Sequence, residues 1–211
     1  MEWFAKKWHI VDQLTPFLLQ GLWTTFVVSI IAIFFGSLLG FSLGVMKTLQ
    51  IRPLEKVING YLHILRGSPY LVQLYIIYFV LPTLDVEWLK FDSFTAAVVS
   101  LSLYTSSYVT EIVASAIFAV PNGQAEASRS VGMTKAQAYR YVILPQALKM
   151  TIPPMASVYV IVIKSTAVLS VIGIMFIYSL IAVFYFVYCY PVLRFSKWAE
   201  TRFGSLGKDL G

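Results

Sequence analysis

Two ionisable residues, Glu111 and Lys164, lie within long apolar stretches of this chain. A charge in hydrocarbon costs several kcal/mol unless it faces a cavity or a partner. Glu111 is therefore expected either to line a polar pathway or to form a salt bridge with a neighbouring helix. Lys164 begins the sequence Lys-Ser-Thr, so it can line a pathway together with Thr166 or extend its stem to an interface. Alternatively, Lys164 and a nearby serine can supply the base and the nucleophile of an intramembrane enzyme.

Polar residues also interrupt the apolar stretches. Ser68 precedes Pro69, and this pair predicts a helix break with Ser68 as the N-cap of the next helix. The N–H groups at such a break can hold a carboxylate, although a kink at the membrane boundary is the alternative. Thr105, Ser106 and Ser107 either contact a substrate or bond backbone carbonyls and neighbouring helices. The candidate pathway residues are Ser68, Glu111, Lys164 and Thr166.

The elements that position these residues follow from composition. The 211 residues are 58% hydrophobic and 12% charged, whereas soluble domains are about a quarter charged. We therefore predict an all-α integral membrane protein. Apolar runs predict five transmembrane helices, at about 17–46, 57–82, 93–120, 150–171 and 174–193. The second of these must include part of an amphipathic helix, so we expect it to be broken or kinked.

Glycines at positions 36, 40 and 44 recur every four residues in the first span. This small-xxx-small spacing allows another helix to approach closely. His9 and His63 have no metal-ligand spacing, and Cys189 is the single cysteine. We therefore expect neither a metal site nor an intrachain disulfide.

The cations are distributed asymmetrically. Of the 16 Lys and Arg residues, twelve fall in three segments on one side of the predicted spans. The positive-inside rule then places the N-terminus outside and the C-terminus in the cytoplasm. Because no basic run or stripe is present, the net charge of +6 indicates orientation rather than binding to nucleic acid.

Residues 121–149, here called the polar segment, lie between two apolar spans on the cytoplasmic side. Asn122 is expected to cap a short helix that ends at Gly132. Thr134 and Gln137 form a capping-box pattern for a second helix, which Pro145 should end or bend. A simple connection needs only a handful of residues. The segment therefore indicates a docking surface for a cytoplasmic partner, with an ordinary loop as the alternative.

A sequence motif runs through the polar segment. Glu126-Ala127-Ser128 is followed by Gly132 and, after nine intervening residues, by Val142-Ile143-Leu144-Pro145. This pattern resembles the EAA loop of ATP-binding-cassette importer permeases. The flanking sequences "RGSPYLVQLYIIYFVLP", "YVTEIVASAIFAVPNGQ" and "IKSTAVLSVIG" are similar to permeases that import polar amino acids. The resemblance covers about residues 17–173.

The resemblance implies a permease that moves a polar or charged amino acid by alternating access across the cytoplasmic (inner) membrane. It implies a second permease subunit, two cytoplasmic ATPase subunits that bind ATP and Mg, and an extracytoplasmic binding protein. The chain contains no GxxxxGK[ST] phosphate loop, so we expect no cofactor of its own. The residues implied to couple to the ATPase are Gln124, Ala125, Glu126, Ala127, Ser128, Gly132, Leu144 and Pro145.

The sequence departs from the family pattern at several positions. Ser128 stands where the motif has alanine, Ala114 where many relatives have arginine, and Ser165 where many have aspartate. The connection near Gly173 is also short. The alternative function is a stand-alone ion-coupled carrier, against which the lack of an inverted repeat argues weakly. The intramembrane enzyme has no catalytic motif to support it.

Overall fold

The computed structural model describes residues 2–172, 187, 189–195, 197, 198 and 201. These residues contain helices and turns but no β-strand, which confirms the all-helical prediction. Three helical stretches are long and apolar enough to cross a membrane: Leu19–Lys47, Ser93–Phe118 and Lys135–Leu169. The bent pair Arg52–Gly67 and Tyr70–Leu84 is a fourth candidate span. The predicted fifth span, 174–193, falls largely outside the described residues.

Helix α1 (Glu2–Lys47) contains the predicted first span, and its glycine face packs against helix α4 (Ser93–Phe118). A Cβ atom added at Gly40 would lie 2.7 Å from both the Ser106 carbonyl oxygen and Val109 Cβ. Gly36 and Gly44 are equally close to α4. The prediction that this face allows close approach of another helix is therefore confirmed.

The bent pair Arg52–Gly67 and Tyr70–Leu84, which is second in chain order, is a broken span, as predicted. Helix α2 (Arg52–Gly67) is followed by a bend of 105° and then by helix α3 (Tyr70–Tyr75). A π-turn (Ile76–Val80) and a 3-10 turn (Leu81–Leu84) extend α3. Because of this bend, α2 lies nearly in the membrane plane if the stretch after the break crosses the membrane.

Ser68 does not cap α3, so that prediction is wrong. Its hydroxyl donates to the Ile64 carbonyl at 2.7 Å and thereby closes the end of α2. Pro69 occupies the cap position of α3 without a side-chain hydrogen bond. The reason is that the last carbonyls of α2 also need donors, and the Ser68 hydroxyl reaches one of them.

The side-chain amide of Gln73 braces this break from inside. Its Nε2 donates to the Leu65 carbonyl at 2.6 Å, the Ser68 carbonyl at 3.1 Å and the Ser68 hydroxyl at 3.0 Å. Gln73 is 6% exposed. The amide therefore holds the end of α2 against the start of α3. Sequence reasoning did not identify Gln73 as important.

We expect Gln73→Met to lower the thermal midpoint of the purified protein, because the carbonyls at the break lose their buried donor. Leaving such a group unsatisfied costs about 1–3 kcal/mol. Fluorescence-detected thermal unfolding in detergent measures the shift. Gln20→Met is the matched control, since Gln20 is exposed on α1. Equal midpoints for the two variants would contradict the bracing role.

Helix α4 lies at the centre of the described helices. Its first turn is capped by the Asp92 side chain, which accepts from the Phe94 N–H at 3.2 Å. One core cluster contains residues from α1, α3, α4 and the later helix α7 (Leu144–Ser165): Val28, Ala32, Tyr70, Ala97, Leu101, Val158 and Val162. Because α4 contributes to the contacts on every side, the other helices are positioned relative to it.

The polar segment contains helix α5 (Asn122–Ser130) and helix α6 (Lys135–Ala138). Asn122 is the first residue of α5 and not its cap, since Pro121 holds that position without a side-chain hydrogen bond. A π-turn (Tyr139–Ile143) joins α6 to helix α7 (Leu144–Ser165), which continues as a 3-10 turn (Thr166–Ile172).

Pro145 does not end the second helix of the polar segment. Lys135–Leu169 is one helical stretch, so the helix that contains the predicted span 150–171 begins within the polar segment. Pro145 lies in the first turn of α7, where its missing N–H costs little. The π-turn just before it accommodates the change in hydrogen-bond pattern.

Candidate functional site

The turn between α5 and α6 is fixed by backbone hydrogen bonds, as the sequence predicts. Gly132 has a φ of +86° and its N–H donates to the Arg129 carbonyl at 3.0 Å. The Met133 N–H donates to the Ser128 carbonyl at 3.1 Å. These two bonds form a Schellman motif. The helix-ending role predicted for Gly132 is confirmed.

The predicted capping box of α6 is also present. The Thr134 N–H donates to Gln137 Oε1 at 2.9 Å, and the Gln137 N–H donates to Thr134 Oγ1 at 3.3 Å. This reciprocal arrangement satisfies two donors at the start of a helix. The two helices of the polar segment therefore have defined ends.

We expect Gly132→Ala to loosen α5, because a non-glycine residue in the left-handed region costs about 1–2 kcal/mol. Hydrogen–deuterium exchange of the α5 amides should become roughly tenfold faster, since 1.4 kcal/mol corresponds to a factor of ten. Gly123→Ala is the control, because Gly123 lies in α5 with open space around it. Unchanged exchange in Gly132→Ala would contradict the requirement for glycine.

One face of the polar segment contacts the rest of the protein. Ser128 is 4% exposed and its hydroxyl donates to the Gln124 carbonyl at 2.6 Å. Gln124 Oε1 in turn accepts from Gln146 Nε2 at 3.2 Å. Ala138 is also buried. These contacts hold α5 against the start of α7.

The opposite face of the polar segment is exposed. Glu126 and Ala127 are exposed, and Ala125 is half-buried beside them. Val131 is 73% exposed and Tyr141 is 62% exposed. Large apolar side chains exposed to this extent are typical of a protein contact site. We call these residues the outer face.

The polar segment is packed firmly against the spans. Tyr139, Ile143 and Leu144 lie half-buried against a cluster from α4 and α7 that includes Val113 and Ala147. The Tyr139 hydroxyl also forms a hydrogen bond with Thr48 Oγ1, just after α1. Pro145 is exposed. The polar segment therefore contacts both α4 and α7.

Glu111 forms ion pairs with two other helices. Its Oε2 lies 2.9 Å from Lys47 Nζ at the end of α1 and 3.6 Å from Arg66 Nη1 near the end of α2. The salt-bridge alternative for Glu111 is therefore confirmed. Sequence reasoning missed Arg66 in this role. Its position beside the Ser68-Pro69 break was a signal that could have found it.

Glu111 and Arg66 also border an open groove of about 370 Å³ between α2, α4 and α7. Tyr108 lies beside them, and the Arg66 Cζ atom is 5.3 Å from the centroid of its ring. The other lining residues are small or apolar: Ile112, Ser115, Ala116, Ala119, Met150 and Pro154. The groove therefore has a charged end and an apolar remainder.

The four candidate pathway residues do not form one site in this chain. Ser68 is two residues from Arg66, close to Glu111. Lys164 is ten residues beyond Pro154 along α7, about 15 Å at 1.5 Å per residue. It is exposed, and among the described residues no carboxylate lies within ion-pair distance of it. Thr166 is buried, and its hydroxyl donates to the Ile163 carbonyl at 2.6 Å.

The central hydroxyl residues of α4 bond their own helix. Thr105 donates to the Leu101 carbonyl, Ser106 to the Leu103 carbonyl and Ser107 to the Tyr104 carbonyl, each at 2.7 Å. The interpretation that they bond backbone carbonyls is therefore confirmed. Within the described part of the chain, no cluster of His, Cys, Asp and Glu could hold a metal ion.

Residues 32–195 match the family described as binding-protein-dependent transport system inner membrane component. The L-cystine transport system permease protein TcyB of Bacillus subtilis is 36% identical over 79% of this chain and 70% of the relative. The glutamine transport system permease protein GlnP of Escherichia coli is 32% identical over 79% of this chain and 76% of the relative.

Solved structures agree with this match. A crystal structure of an amino acid ABC transporter with histidines has a TM-score of 0.81 at 34% identity, covering 91% of this chain and 96% of that one. The inward-facing MetNI methionine ABC transporter has a TM-score of 0.69 at 20% identity, over 95% of this chain and 99% of that one, and it shows the shared fold. The chain belongs to the family of binding-protein-dependent transport system inner membrane components.

Proposed function

We propose that this chain is the membrane-spanning permease subunit of an ATP-driven importer for a polar or charged amino acid. The observation that carries the proposal is the polar segment, whose outer face is exposed and whose second helix begins the continuous helical stretch Lys135–Leu169 that contains α7. Family membership supports it, as do relatives named for the transport of cystine and glutamine. The substrate is an amino acid, and its identity is left to experiment.

The proposed assembly contains a second permease subunit, the same or homologous, two cytoplasmic ATPase subunits and an extracytoplasmic binding protein. ATP and Mg are bound by the ATPase subunits. The chain itself crosses the cytoplasmic membrane five times, with its N-terminus outside and its C-terminus in the cytoplasm. The asymmetry of the Lys and Arg residues supports this orientation.

The coupling mechanism follows from the two faces of the polar segment. Glu126, Ala127 and Val131 of the outer face bind the ATPase subunit in this proposal. When the ATPase subunits close and reopen, α5 and α6 move with them. Because Lys135–Leu169 is one helical stretch, the movement passes along α7 and alternately opens the pathway to each side.

Co-purification tests the proposal. The chain is expressed with its genomic neighbours and purified in detergent, and the proteins bound to it are identified. We expect an ATPase subunit to accompany the wild type and to be lost from Glu126→Lys, because the substitution reverses a charge on the outer face.

Glu87→Lys is the matched control, since Glu87 lies in an exposed turn outside the polar segment. It should retain the ATPase. Transport by the isolated chain without ATP would overturn the proposal and favour the ion-coupled carrier.

A further inference from the structure

One carboxylate of α4 is shared between two cations from different helices. Glu111 Oε2 lies 2.9 Å from Lys47 Nζ at the end of α1 and 3.6 Å from Arg66 Nη1 near the end of α2. Only the Lys47 contact is within normal hydrogen-bond distance. Glu111 Oε1 accepts no hydrogen bond from the residues that the structure describes. Two cations therefore compete for one carboxylate, which has an oxygen to spare.

The exposure of the two cations explains which of them has the short bond. The Lys47 side chain is 15% exposed, whereas the Arg66 side chain is 42% exposed. A charged group that is enclosed by protein needs a hydrogen-bonded counter-charge more than an accessible one does. The partner of Glu111 therefore depends on how the end of α1 is packed, and a movement that uncovers Lys47 favours the pair with Arg66.

The second pairing needs little rearrangement. The Arg66 Cζ atom lies 5.3 Å from the centroid of the Tyr108 ring, and Tyr108 is three residues before Glu111 on α4. Residues at this spacing share a helix face, so the guanidinium already lies beside the carboxylate. The open groove of about 370 Å³ borders both side chains. A closer approach would let the planar fork of Arg66 bind both oxygens of Glu111.

The two cations are attached to different parts of the fold. Lys47 is followed by Thr48, whose hydroxyl forms a hydrogen bond with the Tyr139 hydroxyl in the polar segment. Arg66 lies at the end of α2, just before the bend of 105°. Glu111 therefore joins a helix end that contacts the polar segment to a helix that ends at the break.

We propose that Glu111 is a latch that changes its partner during the transport cycle. In the arrangement observed, it bonds Lys47 and holds the end of α1 against α4. When ATP binding moves the polar segment, Thr48 and Lys47 move with Tyr139, and Glu111 then pairs with Arg66. This inference rests on the proposed function and adds to it a switch within the permease.

Hydrogen–deuterium exchange of the turn after α1 tests the latch. The N–H groups of Thr48 and Leu49 donate to the Val45 and Met46 carbonyls, so their exchange rate reports how firmly the end of α1 is held. The purified permease–ATPase complex is measured without nucleotide and with Mg-ATP trapped by orthovanadate. We expect the trapped state to speed the exchange of these amides at least threefold, because Lys47 has lost its partner.

The two cations should affect this exchange in opposite ways. In Lys47→Gln the amides should exchange fast in both states, because the pair that holds α1 is missing. In Arg66→Gln they should exchange slowly in both states, because no second partner draws Glu111 away. A purely structural ion cluster predicts faster exchange in both variants, since either loss would loosen the helix ends. Lys47→Arg keeps the charge and should retain the nucleotide response.

Lys56→Gln is the control, since Lys56 is an exposed cation of α2 that forms no ion pair with the described residues. It should behave as the wild type does. The latch is wrong if nucleotide leaves the exchange of this turn unchanged in the wild-type complex. It is also wrong if Arg66→Gln responds to nucleotide as the wild type does, or exchanges as fast as Lys47→Gln. Failure of the importer proposal itself gives a different result, namely that no ATPase co-purifies with the chain.

Discussion

Gly40→Ala is expected to lower the thermal midpoint of the purified protein by about 5 °C or more. The added Cβ would lie 2.7 Å from the Ser106 carbonyl oxygen and from Val109 Cβ. Neither atom is the far end of a flexible side chain, so α1 and α4 must separate. Overpacking of this kind costs about 1–3 kcal/mol, and each kcal/mol shifts the midpoint by about 2–4 °C in a chain of this size.

Gly21→Ala should instead raise the thermal midpoint. Gly21 lies in the same helix with nothing within 4 Å of the added Cβ, and alanine is favoured over glycine in a helix by roughly 0.5–1 kcal/mol. Fluorescence-detected thermal unfolding compares the two variants directly. Gly40→Leu extends the series, and we expect it to yield no monodisperse protein. A neutral Gly40→Ala would contradict close packing of α1 on α4.

Local signals in the sequence predicted several of these features correctly. The glycine repeat at 36, 40 and 44 predicts a close helix contact correctly. Such a contact depends only on the helical spacing of the glycines and on their lack of a side chain. The Thr134–Gln137 capping box and the Gly132 helix end are also local, since each depends on hydrogen bonds between residues close in sequence.

Features that depend on distant contacts were not predictable in the same way. The Arg66–Glu111 pair joins two helices whose relative position the sequence does not specify. Gln73 braces the break only because α2 and α3 meet at 105°. Ser68 was assigned to the wrong helix end because both ends at a break need hydrogen-bond partners, and the sequence does not indicate which one the hydroxyl reaches.

The error at Pro145 has a mechanical consequence. Sequence reasoning ended or bent the second helix there because proline interrupts most helices. The π-turn just before it keeps the helix continuous. The second half of the polar segment is therefore also the beginning of the helical stretch that contains α7.

Leu144→Ala is expected to uncouple ATP hydrolysis from transport. Leu144 is half-buried where the π-turn meets the cluster containing Val113 and Ile117 of α4. Truncating a fully buried leucine costs 2–5 kcal/mol, so a half-buried one should cost about 1–2 kcal/mol. The contact between the polar segment and α4 then loosens, while the outer face is unchanged. The complex should retain its ATPase and hydrolyse ATP, but transport per ATP should fall about tenfold.

Leu148→Ala separates this effect from a general loss of side-chain volume on α7. Leu148 lies four residues further along the same helix and is 42% exposed, so the same chemical change removes little packing. It should keep the wild-type ratio of transport to hydrolysis in proteoliposomes. If Leu144→Ala instead loses the ATPase, Leu144 belongs to the docking surface and the transmission role is wrong. If both variants uncouple equally, the movement does not pass through the contact with α4, because Leu148 is not part of it.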